Sequence, residues 1–280
     1  MTFLRVMTLN NFNSVPDDEV ECFSDVWANR AAFNVKTLKR YDPDILGLQE
    51  FEPVHWATYQ QELSGYAHAI ANEHGPGTAI LWKEQRFELL GHGFLTLPRS
   101  DFPHLADLED DILMETTWVK LRCRQSAVEF LYLNTHLNDV SEEARRLGTQ
   151  RNLLQLTKLD PAGELPVIVA GDFNCNPWSP VYRTLLTEGF VDSYRAAGHG
   201  DSAESSTFHG FQGRSYFGLE WGGAVFWRVD WITLRPGSPS GKQPAGQPVQ
   251  TLSCTIVRDA EPPVYVSDHY PVVTELLIGE

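Results

Sequence analysis

Cysteine is scarce in this sequence: four residues in 280, Cys22, Cys123, Cys175 and Cys254, widely spaced and without a CxxC pair. That excludes a disulfide-stapled scaffold and a thiolate zinc site, and points to reduced, mostly buried thiols. Long apolar runs are missing too. None approaches the roughly 18 consecutive residues of a bilayer span. The opening stretch MTFLRVMTLNNF turns polar too soon for a secretory leader and alternates like a strand. Either a leader has been removed or the chain is cytoplasmic, and cytoplasmic is the expectation carried forward. Basic residues are outnumbered, 22 against 37 acidic, for a formal net charge of −15. A broad basic surface that coats nucleic acid is thereby disfavoured, whereas a small phosphate-bearing ligand held at one place is not. The lysines are scattered, and no stripe of interleaved basic and aromatic residues stands out. Internal repeats and low-complexity tracts are absent.

Apolar residues make up 42% and charged residues 21%, proportions of a chain that folds around a core. Short β-branched or aromatic runs bounded by Gly, Pro, Asp or Asn read as strands at 3–9, 44–48, 78–82, 117–121, 128–134, 167–170, 225–232 and 272–277. Helical spacing marks 29–40, which stops at Asp42-Pro43. It also marks 141–159, which opens on Ser141-Glu142-Glu143 and sets Leu147, Leu153, Leu154 and Leu156 along one face. Shorter helices are expected at 181–187 and 55–63. Many strands with few helices suit an α/β or α+β sandwich better than a regular βαβ array. The stretch 236–248 is a flexible surface loop by composition, with too little sequence after it for a second domain. The chain therefore reads as a single domain, 1–280, with that loop inserted. The acidic stretch 107–111 reads as a solvated loop.

Five apolar strands share one kind of ending. FLRVMTL runs into Asn10, DILGLQ into Glu50, EFLYLNT into His136, LPVIVAG into Asp172, and VFWRV into Asp230. Open α/β sheets bind ligands beyond the carboxyl ends of strands, where side chains from separate strands converge. Taken singly, each residue reads equally as a turn former or a loop polar group. Five with mutually useful chemistry point to a shared site. In Gly171-Asp172-Phe173-Asn174, residues two apart share a side of extended chain, so Asp172 and Asn174 face one spot while Phe173 packs away. An Asx turn would use the same residues. In Ser267-Asp268-His269-Tyr270-Pro271, the acid and the imidazole reach a common site only from a turn ahead of VVTELLI.

In order, TLN, LQE, NTHL, GDFN, RVDWI and SDHYP extend over nearly the whole chain, from Met7 to Leu277. Together they resemble the endonuclease/exonuclease/phosphatase superfamily, which takes in apurinic endonucleases, DNase I, neutral sphingomyelinases, inositol polyphosphate phosphatases and poly(A)-specific nucleases. The stretches 27–30 (WANR), 42–50 (DPDILGLQE) and 207–211 (TFHGF) look like a bacterial branch of largely unassigned substrate. The fold this resemblance implies is α/β: a four-layer sandwich of two packed mixed β-sheets flanked by helices.

Hydrolysis of a phosphate ester needs charge neutralisation, an activated water and a stabilised leaving oxygen, and a divalent cation supplies the first. Glu50 is read as the metal ligand, with Asn10 supporting it through an amide oxygen. Asp268 is a second ligand or the partner of a neighbouring cation. Hard oxygen donors suit Mg²⁺ or Mn²⁺, and the resemblance agrees for Glu50 and Asn10. The structural alternative for Glu50 is a helix N-terminal carboxylate. His269 is expected on the scissile phosphate or the attacking water, oriented by Asp230 on its other ring nitrogen. Asp172 activates water or handles the leaving-group proton; which of Asp172 and His269 is the base stays open. Asn174 can donate to a phosphoryl oxygen, and a cationic His136 can stabilise developing negative charge. Trp178, His209, Phe211 and Trp221, with Phe208 and Trp227, fall in loops around the site. They read either as a rim that stacks on substrate or as filler between sheets.

Two departures from the family pattern stand out. Some relatives carry an acidic metal ligand two residues after the first Asn, where this chain has Phe12. Relatives of the bacterial branch often have an Arg four residues before the Trp that is Trp118 here; Met114 occupies it, followed by Glu115. The resemblance implies a metal-dependent phosphoesterase. The charge balance favours a small or modest phosphodiester or phosphomonoester over extended nucleic acid. A DNA or RNA endonuclease or exonuclease is the alternative. A non-catalytic binding module on the same fold is disfavoured, because the metal ligand, the His–Asp pair and the Asp/Asn pair are all present.

Overall fold

In β1 (Thr2–Asn10), Leu4 and Val6 point to one side while Met7 and Leu9 point to the other, and all four are buried. A strand buried on both faces needs a layer on each side, and that requirement sets the architecture. The computed structural model describes residues 1–13, 15, 19–215, 228–237 and 249–279. Besides β1, the larger strands are β2 (Ile45–Gln49), β3 (Tyr66–Ile70), β4 (Ala79–Lys83), β5 (Phe87–Pro98), β6 (Ile112–Cys123), β7 (Glu129–Leu137) and β8 (Val167–Asp172). After the short β9 (Val191–Asp192) come β10 (Asp230–Arg235), β11 (Val249–Ile256), the β12 (Ala260–Glu261) and β13 (Val264–Tyr265) ribbon, and β14 (Val272–Ile278). The helices are α1 (Trp27–Tyr41), α2 (Pro53–Glu62), α3 (Glu142–Leu159), α4 (Pro180–Thr187) and α5 (Ser193–Ala196).

Two six-stranded sheets form, in the orders β11-β14-β1-β2-β4-β3 and β5-β6-β7-β8-β10-β9. Each is mixed: β1 runs parallel to β2 and antiparallel to β14, and β7 runs parallel to β8 and antiparallel to β6. Their facing sides enclose a core of Leu4, Val6, Ile80, Phe130, Tyr132, Ile168 and neighbours. Trp27, Val35, Leu38 and Tyr59 of α1 and α2 cover the outer face of the first sheet. Ala144, Leu156, Val181 and Leu185 of α3 and α4 cover that of the second. The result is the expected four-layer sandwich. No helix among the described residues is long and apolar enough to cross a membrane.

The sequence reading missed β3, β5 and β11, all of which lie at or near sheet edges. On α3 the buried positions are Ala144, Gly148, Thr149, Asn152 and Leu156, so Leu154, expected on the packed face, is 63% exposed. Most of the expected loop at 236–248, the first residues of the strand expected at 225–232, and Trp221 and Trp227 lie outside the described residues.

Polar contacts also join the two sheets. Asn134 of β7 donates to the carbonyls of Leu48 (2.7 Å) and Ala79 (3.0 Å) in the opposite sheet. Its own amide oxygen accepts from Gln49 Nε2 at 2.5 Å, and Gln49 also donates to Thr8 Oγ1 at 3.0 Å. The Thr78 and Thr117 hydroxyls meet across the same gap at 2.8 Å. Gly47 lets the layers close: a methyl there would collide with the Tyr132 hydroxyl and the Asn134 amide. Replacing Asn134 by Leu deprives three buried groups of a partner, at about 1–3 kcal/mol each. Chemical denaturation of Asn134→Leu is expected to show a loss of at least about 3 kcal/mol; a loss below about 1 kcal/mol would show that these bonds do not hold the layers.

Candidate active site

Strands from both sheets end on the same side, and their terminal residues meet there. Asn10 and Glu50 come from the ends of β1 and β2, and Asp268 and His269 from the turn before β14. His136 lies near the end of β7, Asp172 at the end of β8, Asn174 just beyond it, and Asp230 at the start of antiparallel β10. A cavity of about 540 Å³ opens here, lined by Glu50, His136, Asp172, Asn174, Asp268 and His269 together with Phe12, Asp110, Met114, Glu115, Asn138, Asp139 and Phe208. Among the described residues, no lysine or arginine lines it.

The turns that present these groups are tight. Phe12, Glu50 and Asn174 have φ of 57°, 51° and 49°, in the left-handed region that non-glycine residues seldom occupy. Each is held by hydrogen bonds. Asn10 Oδ1 accepts from the Phe12 N–H (2.9 Å), Asp172 Oδ1 from the Asn174 N–H (2.8 Å), and Glu50 Oε2 from the Asn13 N–H (2.9 Å). The Asx turn at Asp172 and the shared facing of Asp172 and Asn174 are therefore one arrangement. Phe173 packs away, stacked on Trp231 at 4.4 Å. Beneath the β1 turn, the fully buried Arg30 donates to Phe12 O (2.6 Å) and Val266 O (3.3 Å) and lies over the Trp27 ring. It ties the β1 exit to the segment that carries Asp268 and His269.

Asp172 Oδ2 sits at the centre of the cluster. It accepts from Asn10 Nδ2 at 3.1 Å and lies 3.8 Å from the Nε2 atoms of both His136 and His269. His269 Nδ1 is 2.9 Å from Asp230 Oδ2. Burial alone would lower the His269 pKa, but the carboxylates of Asp230, Asp268 and Asp172 outweigh it and hold the ring well above the ordinary value. Burial, reinforced by repulsion from Asp230, pushes the Asp172 carboxyl up. Burial also raises Asp268 to about 6, with Glu50 adding to the rise. Asn174 Nδ2 donates to Leu137 O (2.9 Å) and lies 3.3 Å from His136 Nε2.

Glu50 Oε1 accepts from Asn10 Nδ2 at 2.8 Å and faces the cavity beside Asp268. Hard carboxylate oxygens lining a cavity to which the described residues bring no lysine or arginine suit a divalent cation. Asp172, Asp230 and His269 also bring ligand atoms within 4.8 Å of one another, though these are already engaged with each other. Asn10 departs from expectation: its amide oxygen is taken by the Phe12 N–H, and its NH₂ group points at both Glu50 and Asp172.

The expected aromatic rim is placed differently. His209 is 1% exposed, its Nδ1 accepts from the Gly213 N–H (3.2 Å), and its ring lies 4.0 Å from that of Tyr270. Burial, with His269 and Arg258 nearby, lowers it to about 3, so it is a neutral packing residue. It is not among the cavity lining, and neither are Phe211, which packs edge-on against Phe12 (5.0 Å), and Trp178, which is about half exposed. Phe208, one residue before His209, faces the cavity and lies 5.0 Å from the His269 ring. Sequence reasoning missed Glu115, Asp110, Asn138 and Asp139 as cavity residues; Asp110 belongs to the stretch read as a solvated loop. Their shared signal was position, at the start of β6 and the end of β7, beside His136.

Two mixed sheets whose strand ends gather a carboxylate, an Asp/Asn turn and a His–Asp pair define the class. The model of the endonuclease/exonuclease/phosphatase family matches residues 26–269, and the chain belongs to that family. Among curated proteins, carbon catabolite repressor protein 4 homolog 3 of Arabidopsis thaliana is 28% identical over 167 residues, covering 58% of this chain and 36% of that protein. The chain thus spans a little over a third of that relative's length. An endonuclease/exonuclease/phosphatase family protein from Bacteroides thetaiotaomicron superposes with a TM-score of 0.79 at 22% identity, covering 100% of this chain and 96% of the other. A mannosyl-6-phosphatase from the same organism superposes at 0.78 and 22% identity, covering 98% and 99%.

Gly171 sets the position of Asp172. Its φ is +139°, and a methyl group there would overlap the Thr135 carbonyl on β7. Gly171→Ala must therefore part β7 from β8 or twist the site turn, and its expected cost is above about 3 kcal/mol, the scale of combined backbone strain and overpacking. Thermal melting checks this, and a variant as stable as the parent would contradict the close approach.

Proposed function

We propose that the chain is a single-domain, metal-dependent phosphoesterase that hydrolyses a phosphodiester or phosphomonoester of a small or modest-sized substrate. One observation carries the reading. His269–Asp230, Asp172–Asn174 and Glu50 come from separate strands of two sheets and converge on one cavity. Nothing in packing alone asks for that set. Glu50, with Asp268 and Asn10 beside it, would hold a divalent cation, Mg²⁺ or Mn²⁺, which would supply charge neutralisation at the phosphate when bound.

The chain's own groups do the rest. His269, protonated and oriented by Asp230, donates from Nε2 to a phosphoryl oxygen. Asp172, its Oδ1 pinned by the Asn174 N–H, accepts the proton of the attacking water at Oδ2. Asn174 and His136 donate to oxygens on which charge builds up. A phosphatase on the same fold, the mannosyl-6-phosphatase, accords with a small substrate. The nuclease reading predicts something different: cleavage of DNA or RNA that falls steeply with salt. We place the protein in the cytoplasm, in keeping with its free cysteines.

Release of the alcohol or phenol from a panel of aryl and alkyl phosphate monoesters and diesters is expected with Mg²⁺ or Mn²⁺ and to vanish in chelator; full activity of verified metal-free protein would sink the metal assignment. Glu50→Gln should lower activity at fixed metal by more than the roughly 10–100-fold typical of groups one shell further out. The fold should be kept, as read by circular dichroism.

Asp230→Asn should reduce kcat by about two to four orders of magnitude, since an amide cannot orient and stabilise an imidazolium as a carboxylate does. Combined with His269→Ala, the double variant should be little worse than the worse single one, because the two act as a unit. Multiplicative losses would show that they work independently.

A further inference from the structure

Beside the catalytic groups, one wall of the cavity is formed by the start of β6, the end of β7 and the loop before β6. That wall is acidic. Asp110, Glu115 and Asp139 line it, and His136 is paired across the strands from Glu115. Asp110 accepts a hydrogen bond from Asn138 at 3.1 Å. Glu115 differs: among the described residues its carboxylate has neither a hydrogen-bond donor nor an ion-pair partner. A methyl built on Gly77, in the loop before β4, would stand 3.3 Å from Glu115 Oε2, so the carboxylate lies close against that loop at the cavity wall.

A half-buried carboxylate with no donor among the described residues retains a desolvation cost that a ligand can offset. In a cavity built to take one phosphate, it also repels a second. Resting on the phosphoesterase reading above, we propose that Glu115 is the specificity-determining residue of this cavity: it accepts a hydrogen bond from a hydroxyl or ammonium on the leaving group and rejects substrates with a second phosphate there. Nucleic-acid backbones and bisphosphates are thereby excluded by charge as much as by size. With no lysine or arginine lining the cavity among the described residues, a single carboxylate within a few ångströms of a phosphate dianion discriminates by about tenfold or more.

The test compares a hexitol monophosphate, the matching hexitol bisphosphate and phosphorylethanolamine on the wild type, Glu115→Gln and Glu115→Lys. Phosphate release gives kcat/KM, and thermal-shift titration of the same ligands without metal gives affinities. In the wild type the monophosphate should exceed the bisphosphate by about tenfold or more in both readouts. Glu115→Gln should shrink that ratio several-fold, and Glu115→Lys should bring it to unity or reverse it. The relative rates of hexitol phosphate and phosphorylethanolamine separate a hydroxyl donor from an ammonium. Release from every ligand with the ratio unmoved in both variants overturns the proposal while leaving the phosphoesterase reading in place. No release from any of these monoesters, together with no cleavage of aryl phosphodiesters, defeats the phosphoesterase reading, and the binding ratios then decide the role of Glu115 by themselves.

Discussion

Everything at the site depends on how the two sheets are held against each other, and Asn134 is the residue that holds them. Its side chain spends all three of its bonds on the opposite sheet: two donated to main-chain carbonyls of β2 and β4, one accepted from Gln49. Apolar contacts between layers are strong but tolerant of sliding, since burial is not directional. Hydrogen bonds to named backbone atoms are not tolerant. They fix the offset of the layers at the end where it matters, because Glu50 and His269 belong to one sheet and Asp172 and Asp230 to the other. The distance of 3.8 Å between His269 and Asp172 is thus an inter-sheet distance.

A second constraint is electrostatic. Four carboxylates, Glu50, Asp172, Asp230 and Asp268, crowd around two imidazoles, and burial with mutual repulsion drives Asp172 and Asp268 towards their neutral forms. A fold selected only for stability would not retain that crowding. Three left-handed residues in the turns, Phe12, Glu50 and Asn174, add backbone strain at the same place. Arg30, buried beneath the β1 turn, binds the carbonyls of Phe12 and Val266 at once and so braces that turn.

Much of this was legible in the sequence. Strands buried on both faces, such as LPVIVAG, announce themselves, and so do the polar residues that end them. Edge strands do not. In β5 the Gly91, Gly93 and Pro98 that suit a bent, half-exposed edge read as breakers, and in β11 the polar alternation resembles a loop. The direction of side chains in the 207–211 stretch was equally hidden. Phe208 and His209 are neighbours, but extended chain sends them to opposite sides, so the imidazole went to the packing and the benzyl ring to the cavity. Glu115 carried no motif at all; only the pairing of β6 with β7 brings it beside His136.

The order of strands in the first sheet has a consequence in time. β14 lies between β1 and β11, so Thr2 pairs with Ile278 across nearly the whole chain. Until β14 arrives, β1 presents an unpaired edge, and the turn that carries Asp268 and His269 has nothing to anchor it. Closing so long a loop is slow relative to forming local hairpins such as β5–β6. Assembly of the cluster is therefore a late event: the second sheet can form around His136 and Asp172 first, and Asp268 and His269 join them only once β14 has paired with β1.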